Sequence, residues 1–249
     1  MMLVNVINLD RSADRMTRFQ SINSHLDNIS RFRAIDGRTL DLDALIRERL
    51  IQKDVLSAYT VGALGCAMSH LALWDQAIAR EAILTVAEDD AIFNKHFSED
   101  AGRLLRDLDP GWDMVLWGWN FSHLLFFDAL PGVSGCAAYF NENDMRKGID
   151  AFQNQTISPR VFRLYRAFGL VCYSISPKGA RALKERCVPL RDGSVPFPDS
   201  PRPYRNTGID VMMNGFYDSL DCYVSMPPLV ITRNDSAGST IQTEAMPKA

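Results

Sequence analysis

The chain has 249 residues, 47% of them hydrophobic and 23% charged, with a formal net charge of −3. That length supports a sizeable core, and an ordinary apolar fraction with little net charge excludes a disordered chain. No apolar stretch approaches the roughly 20 residues of a membrane-crossing helix, and the first residues lack the basic region and long apolar run of a secretion signal, so the expected compartment is the cytoplasm.

Residues 3–9 are apolar at nearly every position and predict an opening strand. Asp10 or Ser12 can cap a following helix that carries Met16, Phe19, Ile22 and Leu26 at helical spacing. Residues 32–35 predict a short strand closed by the turn pair Asp36-Gly37. A long helix with little charge, hence largely buried, is expected over 62–80, followed by an apolar strand over 82–87 that stops abruptly at Glu88-Asp89-Asp90. A helix near 99–108 and a strand at 114–117 come next. Between 118 and 158 no clean period is visible, and the stretch is expected to be irregular, as lids and acceptor loops are. Residues 168–175 predict a strand, and Pro177 starts a helix to Cys187. Four prolines make 191–206 a surface loop, before a short helix at 209–217, a strand near 222–226 and a polar tail. Strands alternating with helices through the first half argue for an α/β domain with a mainly parallel sheet.

Charge is unevenly distributed. Residues 81–109 hold eight acids and three bases, whereas 158–205 hold ten bases and three acids. No basic run is dense enough, and no aromatic-basic repeat accompanies it, to predict nucleic-acid binding. The five cysteines (66, 136, 172, 187, 222) show neither CxxC pairs nor metal-ligand spacing, so buried small hydrophobes are expected rather than disulfides or zinc ligands.

The strongest local signal is the acidic triplet at the end of an apolar strand. Ligands of open α/β sheets bind beyond the carboxyl ends of the strands. Hard carboxylate oxygens there suit Mg²⁺ or Mn²⁺; a solvated loop capping the next helix is the competing interpretation. Arg11 and Arg15, four apart after the first strand, suit the oxygens of a nucleotide diphosphate.

Five segments in order carry a resemblance to a known family. They are Val6-Ile7-Asn8-Leu9-Asp10-Arg11-Ser12 with Arg15, Arg33-Ala34-Ile35-Asp36-Gly37, Gly62-Ala63-Leu64-Gly65-Cys66-Ala67-Met68-Ser69-His70, the Glu88-Asp89-Asp90 triplet, and Ser176-Pro177-Lys178-Gly179-Ala180. On these the chain resembles glycosyltransferase family 25, the bacterial lipooligosaccharide galactosyltransferase-type proteins. The resemblance implies a GT-A-like fold with a Rossmann-like, mainly parallel sheet, a nucleotide-sugar (UDP-hexose) donor, Mn²⁺ or Mg²⁺, and inversion at the anomeric carbon. Residues 1–118 would form the nucleotide-sugar-binding part and 119–249 the acceptor-binding and closing part of one domain. Asp90 would be the direct metal ligand, with Glu88 shared between metal and donor and Asp89 on the donor. Asn8, Arg11 and Arg15 would line the nucleotide pocket, Asp36 would lie near base or ribose, and Ser69 and His70 beneath the donor. Asp210, an acid among apolar neighbours, is the candidate general base. Arg233-Asn234-Asp235-Ser236 with Ser239-Thr240 resembles a patch that closes over the diphosphate. The acceptor would be a glycan or glycolipid, with a peripheral seat on the inner membrane face drawn by the arginine-rich later segment. A non-catalytic carbohydrate-binding or scaffold protein on the same fold is the alternative.

Overall fold

The apolar opening run forms strand β1 (Val4–Asn8), and a 3-10 turn at Asp10–Ser12 leads into helix α1 (Ala13–Ile22). The chain returns as β2 (Ile29–Arg33), and a short helix α2 (Leu42–Arg47) precedes the long helix α3 (Val61–Arg80). Thr60 caps α3 by accepting the Ala63 N–H at 3.0 Å, and Glu81 ends it in the left-handed conformation (φ 46°). β3 (Leu84–Glu88) and β4 (Ala91–Phe93) follow, then α4 (Phe97–Asp107) and β5 (Met114–Gly118). These coordinates are a computed structural model that describes residues 2–198 and 200–233.

The later chain adds β6 (Leu125–Leu130), β7 (Ser134–Ala138), α5 (Glu142–Lys147), α6 (Ile149–Asn154), β8 (Arg160–Arg166) and β9 (Cys172–Ile175). After them come α7 (Pro177–Cys187), the two-residue strands β10 (Ser194–Val195) and β11 (Tyr204–Arg205), α8 (Ile209–Met213), β12 (Cys222–Met226) and β13 (Val230–Thr232). One nine-stranded sheet runs β2-β1-β3-β9-β5-β12-β8-β6-β7. Six of its strands (β2, β1, β3, β5, β12, β6) share one direction, and β9, β8 and β7 oppose it.

The central strands β3, β9 and β5 are buried on both faces of the sheet. Along β5, Met114 and Leu116 join the core beneath α3 and α7, while Val115 and Trp117 face the core that holds Phe19 of α1 and Phe97 and Leu104 of α4. This period of two, with both faces covered by helices, accounts for strands that read as continuous apolar runs. α3 is the central helix of one layer and buries twelve of its twenty residues. Pro177 sits at the start of α7, where Ser176 Oγ accepts the Gly179 N–H at 2.9 Å, so the Ser-Pro-x-Gly sequence starts this helix as expected.

Several expectations change, among them the strand expected at 32–35, which is Ile29–Arg33, and the helix expected at 209–217, which ends at Met213. Residues 118–158 are not irregular: Leu125–Leu130 and Ser134–Ala138 form a hairpin that extends the sheet through β8. Its second strand is built from Ser, Gly, Cys and Ala, which carry almost no strand propensity, although Pro131-Gly132 between the strands is a turn pair (Gly132 φ 74°). The strand expected from residue 168 begins only at Cys172, because Gly169 takes φ 78° and turns the backbone. α1 ends at Ile22, leaving Leu26 beyond it, and the 191–206 loop contains the small β10–β11 hairpin. The arginine-rich stretch is also offset by the fold. Arg163 pairs with Asp221, Arg166 with Asp218, Lys178 with Asp113 and Asp221, Arg181 with Glu81, Lys184 with Asp75 and Arg205 with Asp192.

Candidate active site

The site forms where β1 and β3 end together. They are parallel neighbours with Ile7 opposite Glu88, so the next residues, Asn8 at the end of β1 and Asp89 just past β3, meet. Asn8 Nδ2 donates to Asp89 Oδ2 at 2.7 Å and to the Ser12 carbonyl at 2.9 Å, and its Oδ1 accepts from Arg31 Nε at 2.8 Å. Arg15, one turn into α1, donates its Nε to Asp89 Oδ1 at 2.7 Å and makes a second, shorter bond through its terminal nitrogen. Asn8 is buried, and its amide is committed to protein on both sides. Asp89 is therefore the acid of the triplet that ties the first strand and the first helix to the third strand.

Its neighbours face outward. Glu88 and Asp90 line an open cleft of about 530 Å³, together with Arg15, Gly169 and Asp210. Asp90 has 42% of its side chain exposed against 10% for Asp89, and Arg15 lies 3.8 Å from it. The strand pair β4–β13, with Ala91 opposite Thr232, brings the Thr232 side chain to Asp90. Burial, followed by repulsion from Asp90, Asp89 and Asp210, pushes the Glu88 carboxyl well above the ordinary carboxylate range. The protein packed around its inner side, which strips water from the carboxyl, raises Asp90 too, against the pull of Arg15. Asp89, Asp90 and Asp210 thus all press on Glu88, while the Arg15 guanidinium contacts two of the four carboxylates. That surplus of hard, negatively charged oxygen is the environment a divalent cation fits.

Asp210 enters from the other half of the chain. It lies in the first turn of α8, and its Oδ2 accepts the backbone N–H of Gly169 at 2.9 Å. The turn that shortens β9 therefore does specific work: a positive φ at Gly169 aims its N–H at this carboxylate. His123, Phe168 and Tyr204 complete an aromatic wall, with Phe168 4.5 Å from His123 and 5.2 Å from Tyr204 between ring centres. By contrast, Trp117 and Trp119 are fully buried and belong to the core.

A smaller cavity of about 80 Å³ adjoins the cleft and shares Arg15, Cys66 and Glu88 with it; Arg11, Asp36 and Ser69 also line it. Arg11 and Asp36 form an ion pair there. Arg38 binds the same carboxylate through side chain and backbone, and with Arg11 holds Asp36 down at about 2. Ser69 is buried on α3. It donates to the Gly65 carbonyl at 2.8 Å and accepts the Ile35 N–H at 2.9 Å, fixing the 34–37 loop against the helix. Gly65 permits that contact, since a Cβ there would stand 2.6 Å from Gly37 N and the Ile35 carbonyl oxygen. His70, the next residue on α3, is also buried, with Nδ1 2.9 Å from the Tyr173 hydroxyl, and burial lowers it to about 4.

The structure thus brings Asn8, Arg11, Arg15, Asp36, Ser69, His70, Glu88, Asp89, Asp90 and Asp210 to one end of the sheet. Asn8 and Ser69 sit there as buried, internally bonded groups. Gly169, Thr232, Phe168 and Tyr204 carry no site signal in the sequence, and His123, which lacks a partner at ligand spacing and reads there as a surface or core residue, lines the cleft. A glycine before an apolar strand marks a turn at the first but no site; the others depend on long-range pairing. Of the C-terminal patch, Asn234 to Ser236 and Ser239-Thr240 lie outside the described residues.

A helix-flanked α/β sheet whose strand ends deliver carboxylates into a cleft is a GT-A-like architecture. The family model for glycosyltransferase family 25 (LPS biosynthesis protein) matches residues 1–196, and the chain belongs to that family. It is 31% identical over 129 residues to a glycosyltransferase 25 family member of Aedes aegypti (46% of this chain, 21% of that protein). It is likewise 31% identical over 116 residues to the inactive glycosyltransferase 25 family member 3 of Mus musculus (40% and 19%). Procollagen galactosyltransferase 2 of Mus musculus is 28% identical over 127 residues (45% and 20%). The matched segments span about a fifth of each relative's length. Among the described residues no helix is long and apolar enough to cross a membrane.

Proposed function

We propose that the chain is an inverting, metal-dependent glycosyltransferase that moves a hexose, such as galactose from UDP-galactose, onto a lipooligosaccharide or other surface-glycan acceptor. The observation that carries this reading is the convergence of Glu88, Asp90 and Asp210 on one cleft beside Arg15. Residues 1–118 would bind the donor and 119–249 would shape the acceptor side of the same domain. Asp90, with Glu88, would hold Mn²⁺ or Mg²⁺, which when bound neutralises charge on the departing diphosphate. Arg11 and Arg15 would face the phosphates and Asp36 the nucleoside, while Asn8, Asp89, Ser69 and His70 keep those groups in place. Asp210 would accept the proton of the acceptor hydroxyl as its oxygen attacks the anomeric carbon and the nucleoside diphosphate leaves from the opposite face. The Gly169 N–H holds one Asp210 oxygen, which fixes where the carboxylate stands.

A nucleotide-release assay across common UDP-sugars with Mn²⁺ tests this. The expected result is release from a UDP-hexose that Asp90→Ala abolishes. Full activity of that variant at saturating donor would remove the metal assignment. The inactive relative favours a second reading, a non-catalytic sugar-nucleotide binder. Metal-dependent UDP binding without any turnover would support it.

A further inference from the structure

Cys66 and His70 are four apart on α3, so they stand one above the other on one helix face. That face lies against the end of β3. Cys66 Sγ, an imidazole nitrogen of His70 and a Glu88 carboxylate oxygen all lie within 4.8 Å of one another. His70 Nδ1 is taken by the Tyr173 hydroxyl, which also accepts from Trp74 Nε1 at 3.0 Å. The other nitrogen, Nε2, is fully buried and has no hydrogen-bond partner among the described residues. A buried imidazole nitrogen left unpaired loses its hydration without replacement and asks for a ligand.

We propose that Cys66, His70 and Glu88 form a binding site for a soft divalent cation of the Zn²⁺ type, which differs in donor chemistry from the hard-oxygen arrangement at Asp90 and shares only Glu88 with it. Sulfur, imidazole and carboxylate are the donor set zinc prefers, whereas Mg²⁺ and Mn²⁺ favour oxygen. Tetrahedral bonds of about 2.0–2.3 Å place ligand atoms roughly 3.3–3.8 Å apart, so the three side chains need to close by about 1 Å. Binding displaces the Cys66 proton to solvent, leaving a thiolate on the metal. The Tyr173 hydroxyl oxygen would accept a hydrogen bond from His70 Nδ1–H and so fix the tautomer, as outer-shell partners of metal-bound histidines do. The fourth position opens to the cleft, because Cys66, His70 and Glu88 all line it. No compact ligand motif marks the set in the sequence, because Glu88 lies eighteen residues on from His70. Glu88 belongs to both arrangements, so zinc would withdraw it from the hard cation; that consequence alone rests on the function proposed above.

Titrating the full chain with Co²⁺, without nucleotide, tests the site. A thiolate-to-cobalt charge-transfer band in the near ultraviolet is expected at one equivalent, and Zn²⁺ should displace it. Co²⁺ held by oxygen ligands alone gives no such band. Cys66→Ser should remove the band and weaken Co²⁺ binding at least about tenfold, while Tyr173→Phe should keep the band and weaken binding by about 10–100-fold. Cys136→Ser, at another half-buried thiol, should change nothing. In the wild-type protein, Zn²⁺ should also protect Cys66 from alkylation, read by mass, whatever the stability of the variants. No band at saturating Co²⁺, a band that survives Cys66→Ser in folded protein, or alkylation of Cys66 indifferent to Zn²⁺ would overturn the proposal. Each outcome is independent of sugar transfer, so failure here leaves the glycosyltransferase reading standing, and the reverse.

Discussion

Asp89 and Asp90 are adjacent acids with opposite expected responses to the same substitution. Asp89→Asn removes the charge from a group that accepts from Asn8 at 2.7 Å and from two nitrogens of Arg15, with only 10% of its side chain exposed. Breaking a fully buried ion pair by removing one partner costs about 3–5 kcal/mol, and an exposed pair contributes about 0–1. Arg15 is 22% exposed, asparagine keeps one acceptor, and Asp90 stands 3.8 Å away to take part of the guanidinium. The loss should therefore be about 2 kcal/mol, a fall in Tm of roughly 4–8 °C for a chain of this length. Asp90→Asn removes a carboxylate whose charged form the fold disfavours, so apo stability should stay level or rise. Urea unfolding in EDTA, followed by far-ultraviolet circular dichroism, gives both values. Asp89→Asn within about 0.5 kcal/mol of wild type, with Asp90→Asn clearly destabilised, would refute the division of the triplet into one structural and two cleft-facing acids.

Three further outcomes follow from the geometry. Gly65→Ala puts a methyl 2.6 Å from the backbone of Ile35 and Gly37, so unfolding should show a loss of about 1–3 kcal/mol and UDP affinity should fall with it; wild-type values for both would contradict the described seating of the 34–37 loop. Asp210→Asn keeps an oxygen for the Gly169 N–H, so kcat for transfer should drop by about 10²–10⁴ while UDP affinity stays within about twofold; an unchanged kcat would remove Asp210 as the base. His70 is lowered to about 4, so between there and the ordinary histidine value the unfolded chain binds a proton the folded chain refuses. Stability should accordingly fall as pH drops from about 6.5 to 4, by up to roughly 3 kcal/mol, and His70→Gln should flatten that slope; equal slopes would show that His70 titrates freely in the folded protein.

Much of the donor side was legible because it is local. An apolar strand that runs into Asn8 and Asp10, a helix with two arginines four apart, and an apolar strand that runs into three acids place their polar ends at one sheet edge once the strands are parallel. What the sequence hid is the division of labour within the triplet. Glu88, Asp89 and Asp90 are equivalent as letters, and only the register of β1 on β3 directs Asp89 inward to Asn8. The other side of the cleft depends on contacts that no window contains: Gly169 with Asp210, 41 residues apart, and Thr232 brought to Asp90 by β4 pairing with β13. The β6–β7 hairpin stayed invisible for a simpler reason, since Ser134 to Ala138 earn their place by pairing rather than by propensity.

The most direct test of the central claim is calorimetric titration of UDP into the full chain with and without Mn²⁺, in wild type and Asp90→Asn. The predicted result is wild-type binding strengthened at least about tenfold by Mn²⁺, or 1.4 kcal/mol, with that gain absent from the variant. Equal UDP affinity with and without Mn²⁺, or an undiminished Mn²⁺ effect in Asp90→Asn, would contradict it.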